Sequence, residues 1–255
     1  MMGRTIFQVV KFELARSMTF GRVSIWVLLL LFPMLLVGTL RLSGAETSEV
    51  EQWGIMLYFL VPEVMCLLAL LLWATPVVST EIEGQTWGYL AMRATGRCEV
   101  ILGKYLTAVV WTLSAALVSS TGCVLMMGTA GGFRLWLVMC VLCAISVLAH
   151  ASLYLLIGVW FYRRTIVTAV FYTGAVEYGL SFVPAVANKL TINFRLRGLL
   201  ANWMDWEEAR SNAENVFGSA SSGAHLSALL VLTLILLSLA LFKVATSEFP
   251  TQQEG

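Results

Sequence analysis

Residues Thr75 to Tyr105 read TPVVSTEIEGQTWGYLAMRATGRCEVILGKY. This is the longest polar interruption between two strongly apolar runs in the first half of the chain. It holds three acids, Glu81, Glu83 and Glu99, and three bases, Arg93, Arg97 and Lys104. Ile82, Trp87 and Leu90 give its first part an apolar side at helical spacing, so that part reads as a short amphipathic helix. Gly84 and Gly88 loosen it, and Gly96 ends the turn-rich part that follows. A short amphipathic element between two apolar runs either lies on a membrane surface or docks into a partner.

The surrounding sequence decides what those apolar runs are. Hydrophobic residues make up 59% of the 255 residues and charged residues 12%, against about 25% charged in an ordinary soluble domain. That balance predicts one integral membrane domain over 1–255, not a soluble core with an anchor. Apolar runs of spanning length predict six transmembrane helices at about 23–40, 55–79, 103–127, 134–161, 166–187 and 225–243. The fifth is interrupted by Gly174, Glu177, Gly179 and Pro184. The net charge of +1, with no dense basic run, argues against nucleic acid as a partner.

Ahead of the first run, residues 4–22 place Ile6, Phe7, Val10, Leu14 and Met18 at helical spacing. Arg4, Lys11, Arg16 and Arg22 add positive charge. This predicts an interfacial helix on an anionic leaflet. The basic stretch is too long for a cleaved signal peptide. Lysine and arginine bias sets the orientation. With both termini inside, the inner segments hold Arg4, Lys11, Arg16, Arg22, Arg93, Arg97, Lys104, Arg163, Arg164 and Lys243. The outer ones hold Arg41, Arg134, Lys189, Arg195, Arg197 and Arg210. Both termini are therefore expected in the cytoplasm, with 81–102 also inside. In the outer segment 188–224, Trp203, Trp206, Ala209 and Ala213 share one side of a helix expected over 202–217. That helix either gates an exit or anchors a plain loop at headgroup level.

The 75–105 stretch resembles the cytoplasmic loop after the second helix of the ABC-2 family of ABC transporter permeases. The family tends to show an acid-rich E-x-E-x-G-T run after a Pro-containing helix end, then an Arg-containing turn and a Gly-Lys that opens the next helix. Glu81, Glu83, Thr86, Arg93, Arg97, Gly103 and Lys104 stand in that order here. The chain departs at Gln85, where a small residue is common, and at Ala94, where the family often has Pro. The N-terminal amphipathic segment resembles the family's elbow helix. The resemblance implies an all-α membrane protein with an ABC-2 (type V exporter-like) permease fold, in the cell inner (cytoplasmic) membrane. It implies a dimer with a second permease copy or a homologous permease, bound to two copies of an ABC ATP-binding subunit that holds ATP and Mg. It also implies export by alternating access along the dimer seam. The ATPase-coupling residues would be Glu81, Glu83, Thr86, Trp87, Leu90, Arg93 and Arg97.

The chain itself contains no G-x-x-x-x-G-K-[ST] loop, so it is not expected to be an enzyme, and any ATP hydrolysis belongs to a partner. Neither H-E-x-x-H nor G-x-S-x-G occurs. Three ionisable residues fall inside expected spans: Glu63, His150 and Glu177. A charge at mid-bilayer costs about 2.5–3.5 kcal/mol on insertion scales, so each should face protein or water. They are the candidates for lining a translocation path; the plainer alternative is a hydrogen bond to a neighbouring helix. Cys140 and Cys143 share a face of the fourth run, with Met126, Met127 and Met139 nearby. Two thiols fall short of a structural metal site, and packing is the simpler reading. Two rival functions remain: a membrane scaffold or assembly factor that anchors a soluble partner through 81–102, and a gradient-driven carrier using Glu63, His150 and Glu177 as a proton relay.

Overall fold

The computed structural model describes residues 2–43, 50–84, 87, 96–128, 131–179, 186–210 and 218–247. Every regular element among them is helical. Five helical stretches are long and apolar enough to cross a membrane: Phe20–Leu42, Val50–Val77, Gly96–Met127, Gly132–Trp160 and Ser222–Thr246. The protein is an all-helical, multi-pass membrane protein.

The N-terminal helix α1 (Met2–Ser17) is separate from the first long helix, α2 (Phe20–Leu42). The break falls earlier than the expected boundary at 22. Thr19 adopts extended backbone, and its hydroxyl accepts from the Arg22 amide, which caps α2. The apolar periodicity runs through this junction and conceals it. α1 packs along the start of α6 (Gly96–Met127). Gly103 makes the close approach possible, because a Cβ there would overlap the Val9 side chain.

The second stretch is not uniform. It runs as α3 (Val50–Tyr58), a π-helical turn at Phe59–Met65, α4 (Cys66–Trp73) and a 3₁₀ turn at Thr75–Val77. Pro62 sits inside the π turn. A proline removes one ladder donor and clashes with the preceding turn, and the wider turn absorbs both effects. The polar segment begins as α5 (Ser79–Glu83), where the Ser79 and Thr80 hydroxyls both donate to the Pro76 carbonyl.

The helix α6 begins at Gly96, so Arg97 and Glu99 lie in its first turns. The segment expected over 81–102 therefore ends about two turns sooner. The central helix is α7 (Gly132–Trp160), which touches α4, α6, α8, α9 and α10. Its spanning window is 67% buried, against 22% for α2 and 17% for α10 (Ser222–Thr246). Those two helices thus form the flanks, and their apolar outer faces are for lipid or another apolar surface. The Cys98 thiol lies 3.8 Å from the Leu241 carbonyl. The end of α10, the start of α6 and helix α1 therefore share one end of the bundle with α5.

The fifth expected run, 166–187, is not one regular helix. It opens as α8 (Thr165–Tyr172) and widens into a second π turn at Thr173–Tyr178. Residues 180–185 lie outside the described residues. A 3₁₀ turn at Val186–Leu190 then leads to α9 (Ile192–Met204). The Thr173 hydroxyl bonds both the Ala169 carbonyl and the Tyr154 hydroxyl, so a side chain intrudes on the helix ladder where it widens. Of the helix expected over 202–217, residues 211–217 lie outside the described residues. Within 202–210, α9 stops at Met204, where Asp205 turns left-handed at φ 62°. α9 itself is largely buried against α7 and α10.

Candidate functional site

Both π turns carry an acid, and α9 binds both acids. Glu63 leaves the first π turn fully buried. The Arg197 guanidinium meets it in a fork, Nε donating to Oε1 at 2.6 Å and Nη2 to Oε2 at 2.9 Å. Glu177 leaves the second π turn. Its Oε1 accepts from the Ile192 amide at 3.4 Å and its Oε2 from the Asn193 amide at 3.2 Å. Those amides open α9, so the carboxylate caps the positive end of the helix. Thr191 contributes a second cap by accepting from the Phe194 amide. One helix thus ties two widened turns together through two carboxylates. π turns within α-helices occur frequently at functional sites.

The junction is reached from a cleft of about 500 Å³. Tyr58, Glu63, Arg197, Gln52, Glu208 and Arg210 supply its polar walls. Arg210 is held by Glu207 and by the Asn202 side-chain oxygen. Two residues before the cleft-lining Glu208, the Trp206 ring lies so close to Gly54 that a Cβ there would overlap it. Inside the junction, both side-chain polar atoms of the buried Asn193 lack a hydrogen-bond partner among the described residues.

His150 lies elsewhere in this network. Its Nδ1 is 2.9 Å from the Ser146 carbonyl and 3.1 Å from the Ser146 hydroxyl. That hydroxyl donates to the Pro62 carbonyl at 2.8 Å. The histidine therefore braces the back of the first π turn, next in sequence to Glu63. Its Nε2 is buried and has no partner among the described residues.

At the other end of the bundle, the root of the polar segment is fastened across its own gap. Lys104 on α6 bonds Glu81 on α5, and both side chains are about nine-tenths buried. Trp87 is also buried and joins the hydrophobic core. Glu83 is exposed beside them. Arg97 lies in the first turn of α6. Thr86, Leu90 and Arg93, the remaining coupling candidates, fall outside the described residues.

No family model matches this chain, and neither a curated protein nor a solved structure shows significant similarity to it. The site therefore has to be read from its own chemistry. Among the described residues, no group of three or more His, Cys, Asp or Glu is placed to hold a metal ion. The cysteines are free thiols, and Cys143 contacts the Ser120 hydroxyl at 3.7 Å.

Sequence reasoning found Glu63 and Glu177 but neither partner. Arg197 counts in the sequence as a loop charge, 134 positions from Glu63. The one available signal was general: an acid at membrane depth requires a cation or donors. Lys104 carried a clearer signal, since it closes the same polar stretch that Glu81 opens.

Proposed function

We propose that the chain is the transmembrane permease subunit of an ATP-driven ABC transporter, working as an exporter. Its broken segment 165–204 supplies a sixth crossing, which gives an ABC-2-like fold with both termini in the cytoplasm of the inner membrane. Two such subunits, or one with a homologous permease, enclose the path at their seam. Separate ATP-binding subunits, carrying ATP and Mg, grip the cytoplasmic segment that begins at Glu81.

The observation that carries this reading is the anchorage of that segment. Glu81 and Lys104 join the helices on either side of it, and Trp87 is sunk into the core. A displacement at Glu83 is therefore transmitted to the short helix α5 and to the long helix α6 at once. A loosely attached loop would dissipate it. Glu83 remains outward for an ionic contact at the rim of a partner interface. At the far end, the cleft beside Glu63 and Arg197 supports a path with polar walls.

The test is purification of the intact chain from its native membrane with the associated proteins retained. A stoichiometric nucleotide-hydrolysing subunit that dissociates from the Glu83→Arg variant supports the proposal. A stoichiometric partner without nucleotide sites supports the scaffold instead. Proton-coupled uptake by the isolated chain in vesicles supports a carrier. Retention of the ATPase and of transport in Glu83→Arg sinks the coupling assignment.

A further inference from the structure

Where α1 meets α2 and α6, two cavities adjoin through a shared wall, Trp111. One is an apolar groove of about 320 Å³ between Leu14, Met18, Val23, Trp26 and Val110. The other is a small recess of about 40 Å³ with mixed walls, in which Arg22, Lys104, Glu13, Thr80 and Thr107 supply the polar side. The wall is rigid. The Trp111 indole donates to the Ser17 hydroxyl at 2.8 Å, and the Trp26 indole to the Ser114 hydroxyl at 3.1 Å. The two rings meet edge to face at 6.4 Å. With their indole N–H groups already bonded, they present apolar surface to the groove.

From this we infer a built site for one phospholipid with an anionic headgroup, its acyl chain in the tryptophan-walled groove and its phosphate at Arg22. The side-by-side polar and apolar cavities match an amphiphile rather than a free anion or a peptide. The surrounding segment is basic: residues 2–22 carry Arg4, Lys11, Arg16 and Arg22 against Glu13, of which Arg22 and Glu13 line the recess. Lys104 is already bonded to Glu81, so the headgroup contact falls to Arg22. The groove opens toward the exposed Met18 and Val110, as a site filled from the bilayer must. This site does not depend on the proposed transport function.

The test uses the full-length chain, delipidated in detergent and titrated with phosphatidylglycerol or phosphatidylcholine, with bound lipid counted by native mass spectrometry. One phosphatidylglycerol per chain is expected to be held roughly five-fold or more tightly than phosphatidylcholine, the effect of one nearby cation. Arg22→Glu is expected to abolish that preference. Val110→Trp and Met18→Trp, which fill the groove from α6 and from the junction between α1 and α2, are expected to release both lipids. Unfolding temperatures measured alongside identify a variant that fails to fold, and the other occluding variant then decides. Equal binding of the two lipids by the native chain overturns the inference. So does an unchanged preference in Arg22→Glu, or unchanged retention in a folded occluding variant.

Discussion

Arg197 and Glu63 form a two-pronged ion pair in the protein interior, with Nε to Oε1 at 2.6 Å and Nη2 to Oε2 at 2.9 Å. The carboxylate is wholly buried, whereas the guanidinium is 29% exposed toward the cleft. Removing the cation leaves a buried carboxylate without its partner. Arg197→Ala is expected to destabilise the protein by about 3 kcal/mol, the lower end of the range for breaking a buried pair. The double variant Glu63→Met/Arg197→Met should recover most of that loss. Thermal unfolding of the single and double variants in one detergent measures both. A double variant as unstable as Arg197→Ala would contradict the account.

Glu177 works through geometry as well as charge. Glu177→Gln keeps one carbonyl oxygen to cap α9 but loses the second acceptor and the attraction to the helix end. A cost of about 1–2 kcal/mol is expected, the scale of a helix cap. Glu177→Ala should cost more, because the Ile192 and Asn193 amides then lose their acceptor. Equal stability of the two variants would show that the carboxylate does not cap the helix.

The contact between Gly54 and Trp206 is steric. Gly54→Ala has to push the indole aside, and overpacking of this kind costs about 1–3 kcal/mol. In a Trp206→Ala background the same change should cost much less, because only the Leu135 side chain, 3.2 Å from the added Cβ, still has to yield. Unfolding of the four members of this cycle gives the coupling directly.

Lys104 and Glu81 form the second buried pair. Lys104→Met is expected to cost about 2–4 kcal/mol by leaving Glu81 in a desolvated position. The exchange Glu81→Lys/Lys104→Glu should restore more than half of that. Glu83→Arg, at an exposed position, is expected to stay within about 0.5 kcal/mol of the native chain. A loss of partner binding in Glu83→Arg can then be separated from a loss of fold.

Much of this architecture is legible in the residue pattern. The helices α2, α7 and α10 follow from long apolar runs, because a bilayer demands that length. Glu63, His150 and Glu177 stand out because charge is costly at that depth. The end of α1 was hidden, since the same apolar spacing continues past Thr19, and only the cap marks the stop. The break in the helix after Tyr172 was announced by Gly174, Glu177 and Gly179, but its geometry depends on what Glu177 binds. That partner, the start of α9, is 15 residues away. Pairings over such separations leave no periodic trace. The same holds for Arg197 and for Trp206 on Gly54.

The widened turn at Phe59–Met65 has a consequence for the whole second helix. A π turn holds about one residue more than the α turn it replaces, and each residue advances the helix by about 100°. The side chains before Phe59 and those after Met65 are therefore out of phase by roughly that angle. A one-residue deletion here would bring the two halves back into step. It would also swing the Trp53 face away from the surroundings it now fits while leaving the Cys66 face in place.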